Sequence, residues 1–578
     1  MVDFGFTKQK EMVKRAYKRT AIVQTLIVIA IVLIVNLIGR NLYSYIDLTE
    51  DKLFSLTPST EKLLNNIEDV IYIDVLLGGD LPSGFKQLQT RTEEVIKQLR
   101  NANPELEYSF KDLSKGSVSD INRVRDNLSK DGIYPMMLEV LEEDQKVEKL
   151  IYPFAIVRRG SRQIVVNLLE GRGRDDTQEM MINKSANLLE YKFANSIEKL
   201  FRTANPFILF TTGNGELDNT QTATIEQDVS TTVSTGRINL DSVTVVDSKV
   251  DVLVVAGPTE SLSIKNKFKV DQFIMNGGKV IWLVEPLVVN LDSINRNGLY
   301  VPKPNEHGLD EMFFKYGVRM NRDLILDLTN SKIPQVVGQS GGQAQQQLFP
   351  WVYYPLLRSG SDHPLVANLD PVYSEFPSSI TILDRPELKH TVLLTSGDYS
   401  RLQVYPMRLT FDAVRVEQRN SAYKKSDIPV AVMVEGEFES FFNNRVSESM
   451  EKGLASMGAE FKAKSKKTQQ IFITDVDLIK NLFNPANERI TPMGFNMWEN
   501  YVYQGNGEFA INSLDYLTDE YGLLESRSKT SQIRLLDQVR LSSNTLKWQL
   551  INILLPILLV IIFGILYNYI RRLSLIHI

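Results

Sequence analysis

The chain contains no cysteine. That excludes disulfides, a thiol nucleophile, a thiolate zinc site, an iron–sulfur cluster and a lipidated-cysteine anchor. Histidine is scarce. His307, His363, His390 and His577 are the four present, none three or four residues from another, so no helix carries a local metal pair. Walker A, G-x-S-x-G and G-x-G-x-x-G patterns are all missing. No residue is assigned a catalytic, cofactor-binding or metal-binding role, and a non-enzyme is expected.

What is present is length, acidity and two long apolar runs. The 578 residues exceed one ordinary domain and predict two or three. The net charge of −5 is uneven: residues 1–20 carry +4, residues 571–578 carry +2, and the rest carries −11. An acidic body argues against nucleic acid as a partner. Ala21 to Gly39 is 19 residues without charge, and Trp548 to Ile570 is 23, with Pro556 and Gly564 inside it. A 19-residue helix covers roughly 28 Å, about the hydrocarbon core of a bilayer. Two transmembrane helices are therefore expected, with Ala21, Gly39, Trp548 and Ile570 as their ends. The flanking basic residues would keep both termini (1–20 and 571–578) in the cytoplasm, leaving the body in the periplasm beside the inner membrane.

Between the runs the pattern is α/β. A Thr57-Pro58 start predicts a helix over Thr60 to Asn66. Strands at 70–77, 108–113, 133–140, 154–157 and 162–168 alternate with helices at 85–100, 118–128 and 184–201. The order βαβαβββα over 40–204 is close to a thioredoxin-like layout, with Pro135 where that fold often places a cis proline. The position of a redox C-x-x-C is Gly78-Gly79-Asp80-Leu81-Pro82, so a scaffold or interaction role is expected.

A second domain over 205–525 opens with strand 207–212, and strand 251–258, helix 264–275 and strand 279–286 form a βαβ unit of a parallel sheet. Further strands are expected at 391–395, 430–434 and 470–474, and a helix over Asn512 to Tyr521. The Gly/Gln tract at 338–348 reads as a mobile loop, and Lys462, Lys464, Lys466 and Lys467 as a solvated run. Residues 526–547 read as a membrane-proximal helix.

Gly213-Asn214-Gly215-Glu216 follows a strand end, where open α/β sheets place ligands, though a tight turn explains the glycines equally. The same four letters recur at Gly505-Asn506-Gly507-Glu508, before a helix. Asp475 and Asp477 would face one side of a strand and could bind a cation, but nothing nearby in sequence supplies further ligands.

Several stretches together carry a resemblance: Leu48-Thr49-Glu50-Asp51-Lys52-Leu53-Phe54-Ser55-Leu56-Thr57-Pro58, Thr212 to Glu216, Phe273 to Lys279, Asp362-His363-Pro364, Pro429 to Val432 with Glu435-Gly436, Ser440, Phe442 to Arg445, Asn512 to Asp519, and Trp548-Gln549-Leu550-Ile551-Asn552 to Arg571. In order and spacing they resemble the GldG family, the gliding-motility-associated ABC transporter subunit of Bacteroidota. The resemblance implies a substrate-binding-type auxiliary subunit working with a GldF-like permease and a GldA-like ATPase in gliding and its secretion machinery, and no cofactor is expected. It also implies a flavodoxin-like or glutamine-amidotransferase-like second domain. Asn214 stands where relatives often have His in G-H-G-E, and without cysteine amidotransferase catalysis is excluded. An unknown periplasmic substrate or envelope partner is allowed. Two alternatives stay open: an envelope hydrolase or amidase using Asn214 to Glu216, and a purely structural envelope scaffold.

Overall fold

The computed structural model describes residues 55–529 apart from 143–144, 172–176, 290–293, 295–297, 341–342, 412–413, 415–419, 448–459 and 485–488, together with 553–566 and isolated positions near the termini. The chain divides into two compact units, Met1–Thr530 and Ser531–Ile578.

The α/β class holds for the body, but the two flanking membrane spans do not. Among the described residues no helix is long and apolar enough to cross a bilayer. The described helical stretch of the second unit, 553–566, has 14 residues. The expected span ends Ala21, Gly39, Trp548 and Ile570 lie outside the described residues, as do 530–547 of the membrane-proximal helix.

The N-terminal region starts with α1 (Pro58–Asn65), where Pro58 sits in the first turn and the Thr57 hydroxyl accepts from the Thr60 amide at 3.4 Å. Four strands, β1 (Ile71–Val75), β2 (Leu106–Phe110), β5 (Phe154–Arg159) and β6 (Arg162–Asn167), form a sheet in the order β2-β1-β5-β6. β1 runs parallel to β2 and antiparallel to β5, which pairs antiparallel with β6. Helix α2 (Ser83–Ala102) buries Phe85, Leu88, Ile96 and Leu99 against it, a stripe at helical spacing. Helix α3 (Val118–Lys130) is capped by Ser117.

Three local expectations are corrected here. The strand at 133–140 is half of a separate hairpin, β3 (Met136–Glu142) with β4 (Gln145–Ile151); β4 is rich in charge and lacks the apolar signal of a strand. The cis X-Pro bond among the described residues is Tyr405–Pro406, not Tyr134–Pro135. The helix at 184–201 is two, α4 (Gln178–Asn187) and α5 (Leu189–Phe201), divided at Leu188.

The second region is built on a ten-stranded sheet. Its parallel half comprises β7 (Phe207–Thr212), β8 (Ser234–Asn239), β9 (Val252–Ala256), β10 (Lys279–Leu283) and the late strand β15 (Lys464–Ile473), in the order β8-β7-β9-β10-β15. The antiparallel half continues from β15 through β14 (Pro429–Glu439), β13 (Leu388–Thr395) and β12 (Gln343–Ser359) to β11 (Asn330–Ser340).

The parallel strands are covered on both faces, which is why they read as unbroken apolar runs. Along β9, Val252, Val254 and Ala256 enter one core with Ile225 and Val229 of α6 (Ala223–Val229) and Phe509, Leu514 and Leu517 of α9 (Gln504–Thr518). Leu253 and Val255 enter the other, with Val270, Phe273 and Ile274 of α7 (Ile264–Met275) and with Phe313 of α8 (Asp310–Lys315) and Tyr316 just past its end.

The Gly/Gln tract is not a loop. It is the tip of the β11–β12 hairpin, with Gly338 opposite Gln345 and Ser340 opposite Gln343. Backbone pairing supplies the order that apolar side chains do not. Helix α9 begins at Gln504 rather than Asn512, so Gly505 to Glu508 form its first turn.

The two α/β regions dock through α5 and α9. Asp515 of α9 pairs with Lys199 at 3.0 Å and accepts from Tyr191 and Asn195 of α5 at 3.0 and 3.2 Å. Lys184 pairs with Asp370 at 2.6 Å, and Lys529 with Glu190 at 2.6 Å.

Candidate functional site

In the parallel half, β7 leads to β8 on one side and β9 on the other. The strand order therefore reverses between β7 and β9, and ligands of open α/β sheets bind beyond the carboxyl ends of strands at such a point. Gly213 to Glu216 follow β7 there. Gly213 and Gly215 have φ of +107° and +80°, conformations that favour glycine. The turn is stitched to the loop after β9: the Asn214 carbonyl accepts from the Thr259 and Glu260 amides at 3.0 and 2.9 Å, and the Leu217 amide donates to the Ala256 carbonyl at 2.9 Å. Glu216 accepts from the Asn214 amide at 2.7 Å. Asn214 is buried. Its polar backbone is committed within the turn and the neighbouring loop.

Two strands along, the same edge becomes acidic. Leu283 of β10 lies opposite Ile473 of β15. The Val284 amide continues the ladder onto the Ile473 carbonyl at 2.9 Å, so Glu285 and Asp475, two residues further, come side by side. Asp477 joins them, and ligand-capable oxygens of Glu285, Asp475 and Asp477 all lie within 4.8 Å of one another. Asp475 is fully buried, while Glu285 and Asp477 are partly exposed.

A fourth carboxylate comes from the loop after the short strand Val372–Tyr373. The Glu375 amide donates to Asp475 at 2.9 Å, and the Tyr373 hydroxyl donates to Glu375 at 2.7 Å. Asn506 of α9 holds this loop. Its side chain accepts from the Tyr373 amide at 2.8 Å and donates to the Tyr373 and Leu478 carbonyls at 2.8 and 3.1 Å. The second Gly-Asn-Gly-Glu thus contributes a positioning asparagine through its place in a helix.

The charges do not balance. Lys480 pairs with Asp477 at 2.7 Å and is the cation facing the cluster. Burial, reinforced by Asp477, pushes Glu285 up to about 8 and Glu375 up to about 7. Burial, then Asp477 and Glu285, raise Asp475 well above the usual carboxylate range. Asp477 in turn holds Lys480 above the usual lysine range. Such a group can trade protons for a cation; hard carboxylate oxygens suit Ca²⁺, Mg²⁺ or Mn²⁺. The i, i+2 aspartates were visible in sequence. Glu285 and Glu375 come from segments about 190 and 100 residues earlier, and no local signal marks them.

The three described histidines lie elsewhere. His307 is buried and accepts from the Leu309 amide at 3.0 Å, and His390 bonds the Gly317 carbonyl at 3.0 Å. His363 stacks edge-on against Tyr516 and, with Lys279, Lys389, Glu435 and Lys467, lines an open cleft of about 930 Å³ at the opposite edge of the sheet. Lys464 of the lysine run is exposed and pairs with Glu437.

A large α/β domain with this half-parallel sheet occupies most of the body. Residues 205–513 match the family described as ABC-type uncharacterized transport system, whose members are auxiliary components of such transporters. The match spans more than half of the chain, and the chain belongs to that family. Residues 50–158 match a domain family of unknown function, DUF7088. An uncharacterized protein of Borreliella burgdorferi is 22% identical over 415 residues, covering 70% of this chain and 75% of its own. Among solved structures, the N-terminal domain of mmIFT52 (TM-score 0.30, 10% identity, 54% of this chain and 97% of that one) and an exo-β-1,4-mannosidase from Opitutaceae bacterium strain TAV5 (0.19, 7%, 60% and 38%) give distant overlaps.

Proposed function

We propose that the chain is a non-enzymatic accessory subunit of an ABC transporter, working at the membrane with a GldF-like permease and a GldA-like ATPase in a gliding-associated system. The family match across 205–513 carries the transporter association. The absence of cysteine and of a P-loop from the sequence supports a role without thiol-based acyl transfer or P-loop ATP hydrolysis. The stitched turn at Asn214 supports a structural use of the sheet edge, since its backbone groups are already engaged. The docked α5–α9 seam supports a rigid body suited to transmitting force or presenting a surface to a partner.

Affinity purification of the tagged full chain from intact membranes tests this reading. Co-purification of a permease and an ATPase in stable ratio is the expected result. Recovery of the chain without either would overturn it. Loss of surface spreading on deletion of the gene, restored by the wild-type chain, is expected if the system serves gliding.

A further inference from the structure

We propose that the pocket between α8 and the segment after β14 binds a carboxylate carried on an aromatic or apolar group, as a free acid or as the last residue of a peptide. Arg319 and Arg385 hold the carboxylate, and the rings of Phe314 and Phe441 hold the apolar part. The pocket has a volume of about 640 Å³, within the range of small-molecule sites.

Three segments build it. Helix α8 contributes Phe314. The short strand Val318–Met320 follows, with Val318 and Met320 buried and Arg319 between them exposed, the alternation of a strand lying on a core. It pairs antiparallel with Ile380–Ile382, which sets Arg319 opposite Thr381, and Arg385 lies four residues beyond Thr381. Past the end of β14 the chain supplies Phe441, Asn443 and Arg445.

The cations of this pocket are unequally engaged. Lys315 pairs with Glu439 at 2.6 Å, and Arg445 with Glu311 at 3.6 Å. Arg319 and Arg385 form no ion pair among the described residues. Arg319 donates through Nε to the Asn321 side chain at 3.0 Å. A terminal nitrogen of Arg385 reaches the Phe314 carbonyl at a long 3.5 Å, and its Nε is enclosed without a hydrogen-bond partner. An enclosed N–H lacking an acceptor is rare and costly in a folded protein. A carboxylate supplies that acceptor, and a guanidinium presents its donors in the planar fork that carboxylates fit.

The rings complete the site. Phe314 is 51% exposed, and Phe441 is partly buried. A guanidinium lies over each: Arg385 is 5.9 Å from the Phe314 centroid and Arg445 is 4.3 Å from that of Phe441. These contacts orient the arginines. The ring surface still in water is what an apolar ligand would cover, and covering it favours binding. Asp310 and Glu311 also line the pocket. They repel a phosphate dianion more than a singly charged carboxylate, which selects the carboxylate.

The test uses the purified full chain in ligand-observed NMR titrations. The probes are hydrocinnamate, its neutral amide, phenyl phosphate and the peptide acetyl-Gly-Gly-Phe with a free carboxyl end. Saturable binding of hydrocinnamate or of the peptide is expected, about tenfold or more tighter than that of the amide. Tighter binding of the peptide assigns the ligand to a chain terminus, and tighter binding of hydrocinnamate assigns it to a free acid. Arg385→Gln and, separately, Arg319→Gln are each expected to weaken carboxylate binding by about tenfold while circular dichroism shows an intact fold. Lys389→Gln, at an exposed lysine outside the pocket, is expected to leave affinity unchanged. Absence of saturable binding by both carboxylates would overturn the proposal. So would equal binding of the amide, tighter binding of phenyl phosphate, or unchanged affinity in both arginine variants.

Discussion

Two aspartates on α9 and beside it are both fully enclosed, yet they live in opposite electrostatic worlds. Asp515 sits at the seam between the two α/β regions. Burial alone would raise it, but Lys199 at 3.0 Å and hydrogen bonds from Tyr191 and Asn195 outweigh that and hold it below the usual carboxylate range. Asp475 sits at the sheet edge among Glu285, Glu375 and Asp477, and is raised well above that range. Burial is the same in kind; the count of partners differs. A buried charge with its own cation and donors is a fastener. A buried charge sharing one lysine with three others is left to be offset by protons instead.

The strongest way to break this comparison is to remove charge from each side. Lys199→Met leaves Asp515 enclosed without its cation, and a loss of about 3–5 kcal/mol is expected in urea unfolding of the full chain. Asp475→Asn removes repulsion instead, so it is expected to be neutral or stabilising by about 1 kcal/mol. Equal destabilisation by both would collapse the distinction.

Next in size is Asn506→Ala. It deletes three buried hydrogen bonds that fix the Glu375 loop. A loss of about 2–3 kcal/mol is expected, read as a lower unfolding midpoint.

Glu508, also on α9, is an intermediate case. Burial, with Glu170 and Asp370 nearby, pushes it up to about 7, against the partial relief of Arg527 and Lys192. Its folded value is raised, so the folded state holds the proton more tightly. Its contribution is fully present below about 4.5 and is lost as pH rises towards about 7. Glu508→Gln is expected to flatten that part of the stability–pH curve by on the order of 2 kcal/mol. An unchanged slope would show that Arg527 and Lys192 already pair it as fully as Lys199 pairs Asp515.

The smallest effects belong to the uncharged part of the edge. Gly215 has φ +80° and packs against Thr259, so Gly215→Ala is expected to cost about 1–2 kcal/mol. Asn214→Ala removes a side chain from a turn held by its backbone, and less than about 1 kcal/mol is expected in thermal melts. A larger loss from Asn214→Ala than from Gly215→Ala would assign the turn a side-chain role.

Much of the parallel half was legible. Val252–Ala256 and Lys279–Leu283 are apolar, β-branched runs with a helix between them, and helix α7 starts at a Ser263 cap whose hydroxyl accepts from the Asn266 amide at 3.2 Å. Other strands were hidden for identifiable reasons. β8, Ser-Thr-Gly-Arg-Ile-Asn, is half polar because it lies at the sheet edge, where one side of the ladder meets water. The Gln-rich β11–β12 tip is held by backbone pairing. The apolar runs at 21–39 and 548–570 showed hydrophobicity, but among the described residues no helix of bilayer length follows from them.

By itself the sequence determined the chemistry that is missing and the local elements that periodicity can specify. No cysteine means no thiol chemistry in any fold, and alternating or continuous apolar runs choose strand over helix within a few residues. It also showed Asp475 and Asp477 two residues apart, although both fall past the end of β15 rather than along one face of it. Tertiary structure alone decided that β15, nearly two hundred residues after β10, pairs with it in parallel and sets Glu285 against Asp475. It alone decided that Lys199 reaches Asp515 while Lys480 must serve four carboxylates. The reason is that charge pairing depends on distance in space, which long-range strand register fixes and no local pattern encodes.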